Sequence, residues 1–280
     1  MIELIQQRLD SYKTANPVEE EQAIKEILQE VALYTLWRAR FFEVAAFQGG
    51  TSLRILHGLP RFSEDLDFIL KVPDPGFEWH GYLEKLLSGL QEFGLRSEAF
   101  DKSRVDQRVR KAQLKDNSVC NQLDLAFYRG TAHQKLKVKL EIDVNPAEGS
   151  GFEYTYLDFP LDFEVCHQDL SSNFSLKLHA LLCRPYLKGR DWYDFNWYVK
   201  KHIQPNYTHL QAALYQYGPW EGQTLTIDKA WLAHTLLGKV AAINWTEAVE
   251  DVARFINAAE QQSLQLWSER FFSSKIEHLG

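Results

Sequence analysis

Two aspartates, Asp65 and Asp67, stand two positions apart in the run Ser63-Glu64-Asp65-Leu66-Asp67-Phe68. On a strand, that spacing puts both carboxylates on one face and leaves Leu66, Phe68 and Leu70 for the other. Paired carboxylates repel each other unless a cation sits between them. Mg2+, or Mn2+, suits such a pair, because it takes oxygen ligands and bridges to phosphate oxygens. Just upstream lies Phe47-Gln48-Gly49-Gly50-Thr51-Ser52-Leu53. The glycines let the backbone approach a phosphate without a Cβ in the way. A helix opening at Thr51 aims unpaired N–H groups at the same place, and Thr51 and Ser52 add hydroxyls. Together these residues predict metal-assisted chemistry on a nucleoside triphosphate.

A third carboxylate is available further on. The stretch Lys137-Val138-Lys139-Leu140-Glu141-Ile142-Asp143-Val144 alternates strictly between charged and apolar residues. As a strand beside the first pair it would bring in Glu141 or Asp143, and the pattern leaves both open. Either could hold metal or help deprotonate an attacking hydroxyl.

Several elements must position these groups. Asn16 can cap a helix that has Pro17 in its first turn and Glu19 and Glu20 near its positive end. Apolar residues at helical spacing carry that helix from 17 to about 40. Residues 42–47 read as a strand and 51–59 as a short helix ended by Gly58 and Pro60. Residues 66–70 read as a strand and 79–93 as an amphipathic helix stopped by Gly94. Residues 95–100, 118–128 and 136–144 follow as strands, with 101–117 unassigned. Residues 146–151 are a loop, and from about Ser171 the pattern is helical. The fold class expected is α+β, a mixed β-sheet with helices followed by a helical part. The boundary is placed between a catalytic domain over 1–165 and a C-terminal domain over 166–280.

Composition narrows the classes. At 280 residues, with 45% hydrophobic and 13% aromatic residues, the chain can build a packed core. Its net charge of −7 excludes a protein that grips nucleic acid through an overall positive field, so any such grip must be local. Cys120, Cys166 and Cys183 are too scattered for a metal pair or a disulfide framework, as befits a reducing cytoplasm. The polar N-terminus lacks the apolar core of a signal peptide. No apolar run approaches the ~20 residues of a membrane span. A cytoplasmic protein without membrane partners is expected.

The segments Gly49-Gly50-Thr51-x-Leu53 and Arg61-x-Ser63-Glu64-Asp65-Leu66-Asp67-Phe68 resemble the signature of the AbiEii/AbiGii toxin family. These are nucleotidyltransferases of the DNA polymerase β-like superfamily. Where much of the superfamily has Gly-Ser, this chain has Gly-Gly-Thr, so either Thr51 or Ser52 would supply the hydroxyl. A second stretch resembles the family too. It comprises Leu176-Lys177-Leu178-His179-Ala180, Arg184, and Lys188-Gly189-Arg190-Asp191-Trp192-Tyr193-Asp194. The resemblance spans roughly residues 45–200 and implies roles in the site for Lys177 and Asp191. A lysine there would offset triphosphate charge, and Asp191 could orient Lys177 or Arg190.

The resemblance further implies a toxin of a type IV toxin–antitoxin or abortive-infection system. It would move an NMP from an NTP to RNA, tRNA being one acceptor used in the family, and a cognate antitoxin would be its partner. Three other readings stay open: transfer to a small molecule or protein, γ-phosphate transfer, and a non-catalytic interaction protein that keeps the fold.

Other features are weaker. Lys102, Arg104, Arg108, Arg110, Lys111 and Lys115 are bracketed or interrupted by Asp101, Asp106 and Asp116. They read first as a solvated face and second as a phosphate track, which Lys135, Lys137 and Lys139 could extend; those lysines could equally bind the triphosphate. Trp192, Phe195 and Tyr198 at helical spacing are expected in a core, and Trp220, Trp231, Trp245 and Trp267 as packing anchors.

Overall fold

The structure is a computed structural model that describes residues 1–104, 106–127 and 136–279. The chain divides into two compact units. The first comprises 1–58, 62–146 and 153–167, and the second comprises 59–61, 147–152 and 168–280.

In chain order the elements begin with α1 (Ile2–Ser11), α2 (Pro17–Arg38), β1 (Ala45–Gln48), α3 (Gly49–His57), β2 (Asp65–Leu70) and α4 (His80–Glu92). Next come β3 (Ser97–Asp101), β4 (Val109–Asp116), β5 (Leu136–Asp143), β6 (Phe152–Leu157) and β7 (Phe163–Gln168). The rest is helical: α5 (Leu170–Cys183), α6 (Gly189–Lys200), α7 (Tyr207–Gln216), α8 (Lys229–Ala241), α9 (Trp245–Ala253), α10 (Ala258–Ser263) and α11 (Glu269–Glu277). The class is α+β.

The strands form one mixed sheet in the order β3-β4-β5-β2-β1-β7-β6. Strand β2 runs antiparallel to β1 and parallel to β5, and β4 runs antiparallel to both β5 and β3. The alternation expected of β5 holds. Leu136, Val138, Leu140 and Ile142 are buried, Lys137 and Lys139 are exposed, and Glu141 and Asp143 lie between. Strand β2 buries Leu66 and Phe68 in the same way while Asp65 and Asp67 stay half-buried.

Helix α2 starts as its sequence predicts. Asn16 Oδ1 accepts from the N–H groups of Val18 and Glu19 at 3.1 and 3.0 Å. Its amphipathic stripe is less simple, because α2 is buried nearly all round, polar residues included. Several of those polar groups are paired. Glu26 accepts from Arg54 at 2.8 Å, Glu30 pairs with Arg8, and Gln29 donates to the Ser63 carbonyl at 3.1 Å. A ring cluster holds the buried side of β2. Phe68 meets Phe41 edge-on at 4.9 Å and Phe47 at 5.6 Å, and Phe41 stacks on Trp79. Each fully buried ring contributes roughly 1.5–3 kcal/mol. This anchoring fixes which face of β2 is turned away from the core and so carries Asp65 and Asp67.

Several elements differ from expectation. The residues read as a strand over 42–47 begin with a 3-10 turn, Phe41–Glu43, and only Ala45–Gln48 pair. The strand expected over 118–128 is instead a 3-10 turn, Val119–Asn121, and irregular chain to 127. Asp116 accepts from the N–H groups of Ser118 and Val119, both at 2.8 Å, and curls the backbone out of the sheet. Tyr128, the end of that expected strand, lies outside the described residues, as does Lys135. The unassigned charged stretch contains β4, and β6 and β7 occupy a region where no strand was expected. The helix expected from residue 51 begins at Gly49. Among the described residues no helix is long and apolar enough to cross a membrane, and the three cysteines form no disulfide.

Candidate active site

Asp65 and Asp67 share one face of β2, and the register decides what stands beside them. Across the parallel β2–β5 pairing Asp65 faces Lys139, Asp67 faces Glu141, and Ile69 faces Asp143. Glu141 is therefore the carboxylate adjacent to Asp67. Asp143 sits one step further along and is committed elsewhere. It takes a bidentate pair from Arg108, at 2.9 and 2.5 Å, and accepts from the Asn145 N–H. Lysines flank the group, Lys139 at 3.6 Å from Asp65 and Lys111 at 3.0 Å from Glu141. Their charges offset the repulsion among the carboxylates. Among the described residues no three His, Cys, Asp or Glu side chains are gathered into a metal-binding group.

The glycine turn lies against this pair. Gly49 has φ +78°, and a Cβ placed on it would come within 2.8 Å of Asp67 Oδ2. Glycine is required for both reasons, since a side chain would be strained and would fill the space at the carboxylate. Helix α3 starts here, and the positive end of its dipole favours an anion. Thr51 and Ser52 are buried. The Thr51 hydroxyl donates to the Asp65 carbonyl and the Ser52 hydroxyl to the Gly49 carbonyl at 2.9 Å. Both therefore brace the turn against β2. Gly58, at φ +71°, closes α3. Hard oxygen donors on one face, with space beside Asp67 that a Cβ would remove, fit a small divalent cation.

In the second unit Lys177 and Asp191 lie in a buried ionic cluster. Lys177 donates to Asp191 at 2.7 Å and pairs with Asp194 at 2.9 Å. Arg61 grips Asp194 with two hydrogen bonds of 2.6 Å, and Arg184 pairs with Asp191. Arg190 turns to Asp251, at 3.6 Å. Asp191 therefore orients Lys177 and Arg184. Among the described residues Arg61, Lys177 and Arg184 pair directly with Asp191 and Asp194, and Lys188 acts on Asp191 from further away.

Burial alone would push the Asp191 pKa up, but Lys177, Arg184 and Lys188 outweigh it and hold the carboxyl at about 2. Asp194 is lowered in the same way, against its burial, by Arg61 and Lys177. A depressed carboxylate pKa stabilises the fold above its unfolded value, and that contribution is lost as pH falls through the folded one. Between pH 4 and 2, wild type is expected to lose on the order of 2 kcal/mol more stability than Asp191→Asn. Urea titrations followed by tryptophan fluorescence at the two pH values check this. Equal losses in both proteins would remove the assignment.

The profile of the family described as nucleotidyl transferase AbiEii toxin, type IV TA system, matches residues 31–269. The chain belongs to the AbiEii family. It is a nucleotidyltransferase of that family, as its Gly-Gly turn and aspartate pair suggest. No curated protein matches the sequence significantly. Two solved structures from Helicobacter pylori are similar. One is a candidate nucleotidyltransferase, 17% identical with TM-score 0.44, the match covering 90% of this chain and 95% of that one. The other is JHP933, 18% identical with TM-score 0.49, covering 93% and 89%.

For this AbiEii protein the structure thus groups Gly49, Gly50, Thr51, Ser52, Asp65, Asp67 and Glu141 in the first unit. It groups Lys177 and Asp191 in the second. Arg61, Arg184 and Asp194 belong to that second cluster, and sequence reasoning assigned them no role. All three fall inside the motif segments, so a charged residue within a motif was the available signal. The residues expected to pack do so: Trp192, Phe195 and Tyr198 are buried.

Proposed function

We propose that the protein transfers an NMP from an NTP to RNA, with tRNA the leading acceptor, acting as a toxin held in check by a cognate antitoxin. One observation carries the reading: Asp65, Asp67 and Glu141 occupy adjacent positions on one face, beside a glycine turn that a Cβ would obstruct. Asp65 and Asp67 would hold Mg2+ or Mn2+, with Glu141 in preference to Asp143 as the third carboxylate. A divalent cation bound there supplies charge neutralisation for the α-phosphate and the departing pyrophosphate.

The remaining roles fall to the chain's own groups. The positive end of α3, built from Gly49, Gly50, Thr51 and Ser52, favours the β and γ phosphates. The two hydroxyls keep the turn in place. Glu141 accepts the proton of the attacking hydroxyl as the new P–O bond forms and the bond to the β-phosphate oxygen breaks. Within the second unit Lys177 is held by Asp191 and Asp194; a lysine of this kind supplies positive charge suited to a phosphate.

Incubation with total RNA and each NTP, labelled in turn at the α and γ positions, tests the reading. Label from the α position is expected in RNA, with pyrophosphate released. Label from the γ position in RNA indicates phosphotransfer instead, and labelled protein or small molecule moves the acceptor away from RNA.

A further inference from the structure

The register of the sheet lines up residues that are far apart in sequence. Asp65 faces Lys139, Lys139 faces Gln113, and Gln113 faces Phe100, one row crossing β2, β5, β4 and β3. On one side of it lies the row Asp67, Glu141 and Lys111, and on the other the row Lys137, Lys115 and Glu98. Side-chain contacts confirm that these groups share a face. Lys139 meets Asp65, Lys111 meets Glu141, Lys102 donates to Gln113 at 2.6 Å, and the Lys115 ammonium lies 4.6 Å from the Phe100 ring centroid.

Outside the aspartate pair this surface carries five lysines (102, 111, 115, 137 and 139) against three carboxylates, Glu98, Glu141 and Asp143, the last paired with Arg108. It is locally positive on a chain of net charge −7. Phe100 ends the row 41% exposed, a large ring presented to solvent on an edge strand. An aromatic platform beside ammonium groups is what single-stranded nucleic acid requires, with the ring for a base and the cations for adjoining phosphates. Three strand spacings of ~4.8 Å separate Asp65 from Phe100, about 14 Å, or roughly four nucleotides at a stacked rise of ~3.4 Å.

We propose that the unpaired end of the RNA acceptor crosses this sheet face along the Asp65–Lys139–Gln113–Phe100 row. Its terminal hydroxyl lies at the aspartates, its phosphates meet Lys115, Lys137 and Lys139, and an upstream base stacks on Phe100. This rests on the nucleotidyltransferase reading above and adds to it a direction and a stacking residue for the acceptor.

Fluorescence anisotropy with a labelled single-stranded RNA oligonucleotide tests the track, with binding of a fluorescent NTP and Mg2+ measured in parallel. Phe100→Ala is expected to weaken RNA binding roughly tenfold, and Phe100→Tyr to retain it. The double variant Lys115→Gln/Lys137→Gln is expected to weaken binding at least tenfold. It should also reduce the salt slope by about 1.4, or 0.7 for each of two phosphates. NTP binding should stay within twofold of wild type in both Phe100 variants. RNA binding that survives unchanged in both Phe100→Ala and the lysine pair overturns the track while leaving the nucleotidyltransferase reading standing. Failure of wild type to bind NTP overturns that reading instead. Displacement of the RNA by equimolar single-stranded DNA of the same sequence overturns RNA as the occupant.

Discussion

Asp67→Asn is expected to lower NMP transfer about a thousandfold, some 4 kcal/mol of transition-state stabilisation at 1.36 kcal/mol per tenfold. The argument is local. Asp67 faces Glu141 across the β2–β5 pairing and touches the space kept open by Gly49. Asparagine keeps the shape but removes the charge that would hold a divalent cation. Stability should be unchanged or slightly higher, since one member of a like-charged pair is gone. Glu141→Gln should also fall steeply, whereas Asp143→Asn should spare the chemistry, because Asp143 is already paired with Arg108. Steady-state transfer rates alongside thermal melts measure both quantities. Activity of Asp67→Asn within tenfold of wild type removes the metal assignment, and a reversed order for Glu141 and Asp143 exchanges their roles.

The second large effect is on stability. Arg61→Ala is expected to cost about 3–5 kcal/mol, because it strips a buried carboxylate of its bidentate partner. Arg61 and Asp194 are 3% and 0% exposed, and two hydrogen bonds of 2.6 Å join them. Lys177 remains near Asp194 in the variant but is shared with Asp191. Arg61→Lys should recover only part of the loss, since an ammonium cannot reproduce the planar fork. Arg61→Met combined with Asp194→Leu should recover more, because no charge is then left buried without a partner. Denaturant titrations of the four proteins decide the matter. A loss below about 1 kcal/mol for Arg61→Ala would show that Lys177 alone satisfies Asp194.

Much of the fold was legible wherever local pattern and tertiary demand agreed. Asn16 announced the start of α2, the alternation of residues 137–143 announced β5, and Gly49 announced a turn that only glycine can make. The reading went wrong where a single side chain redirected the backbone. Residues 118–127 carry enough apolar character for a strand, but Asp116 captures two N–H groups and turns the chain. Strand β4 was hidden by its charge. Arg110 is buried in the sheet because its guanidinium donates to the carbonyls of Arg104, Gln107 and Pro75. Strand β6 lies at a sheet edge with Tyr154 and Tyr156 exposed, so its burial pattern carries no clean alternation.

By itself the sequence determined which side chains could do the chemistry, because the types Asp-x-Asp and Gly-Gly and their spacing are local properties of the chain. The tertiary structure decided which of these groups become neighbours. It set Glu141 rather than Asp143 beside Asp67, and it joined Arg61 to Asp194 across 133 positions of sequence. It also aligned Phe100 with Asp65 across three strand pairings. The physical reason is that strand register follows from burying whole faces of several strands together, and no single segment contains that information.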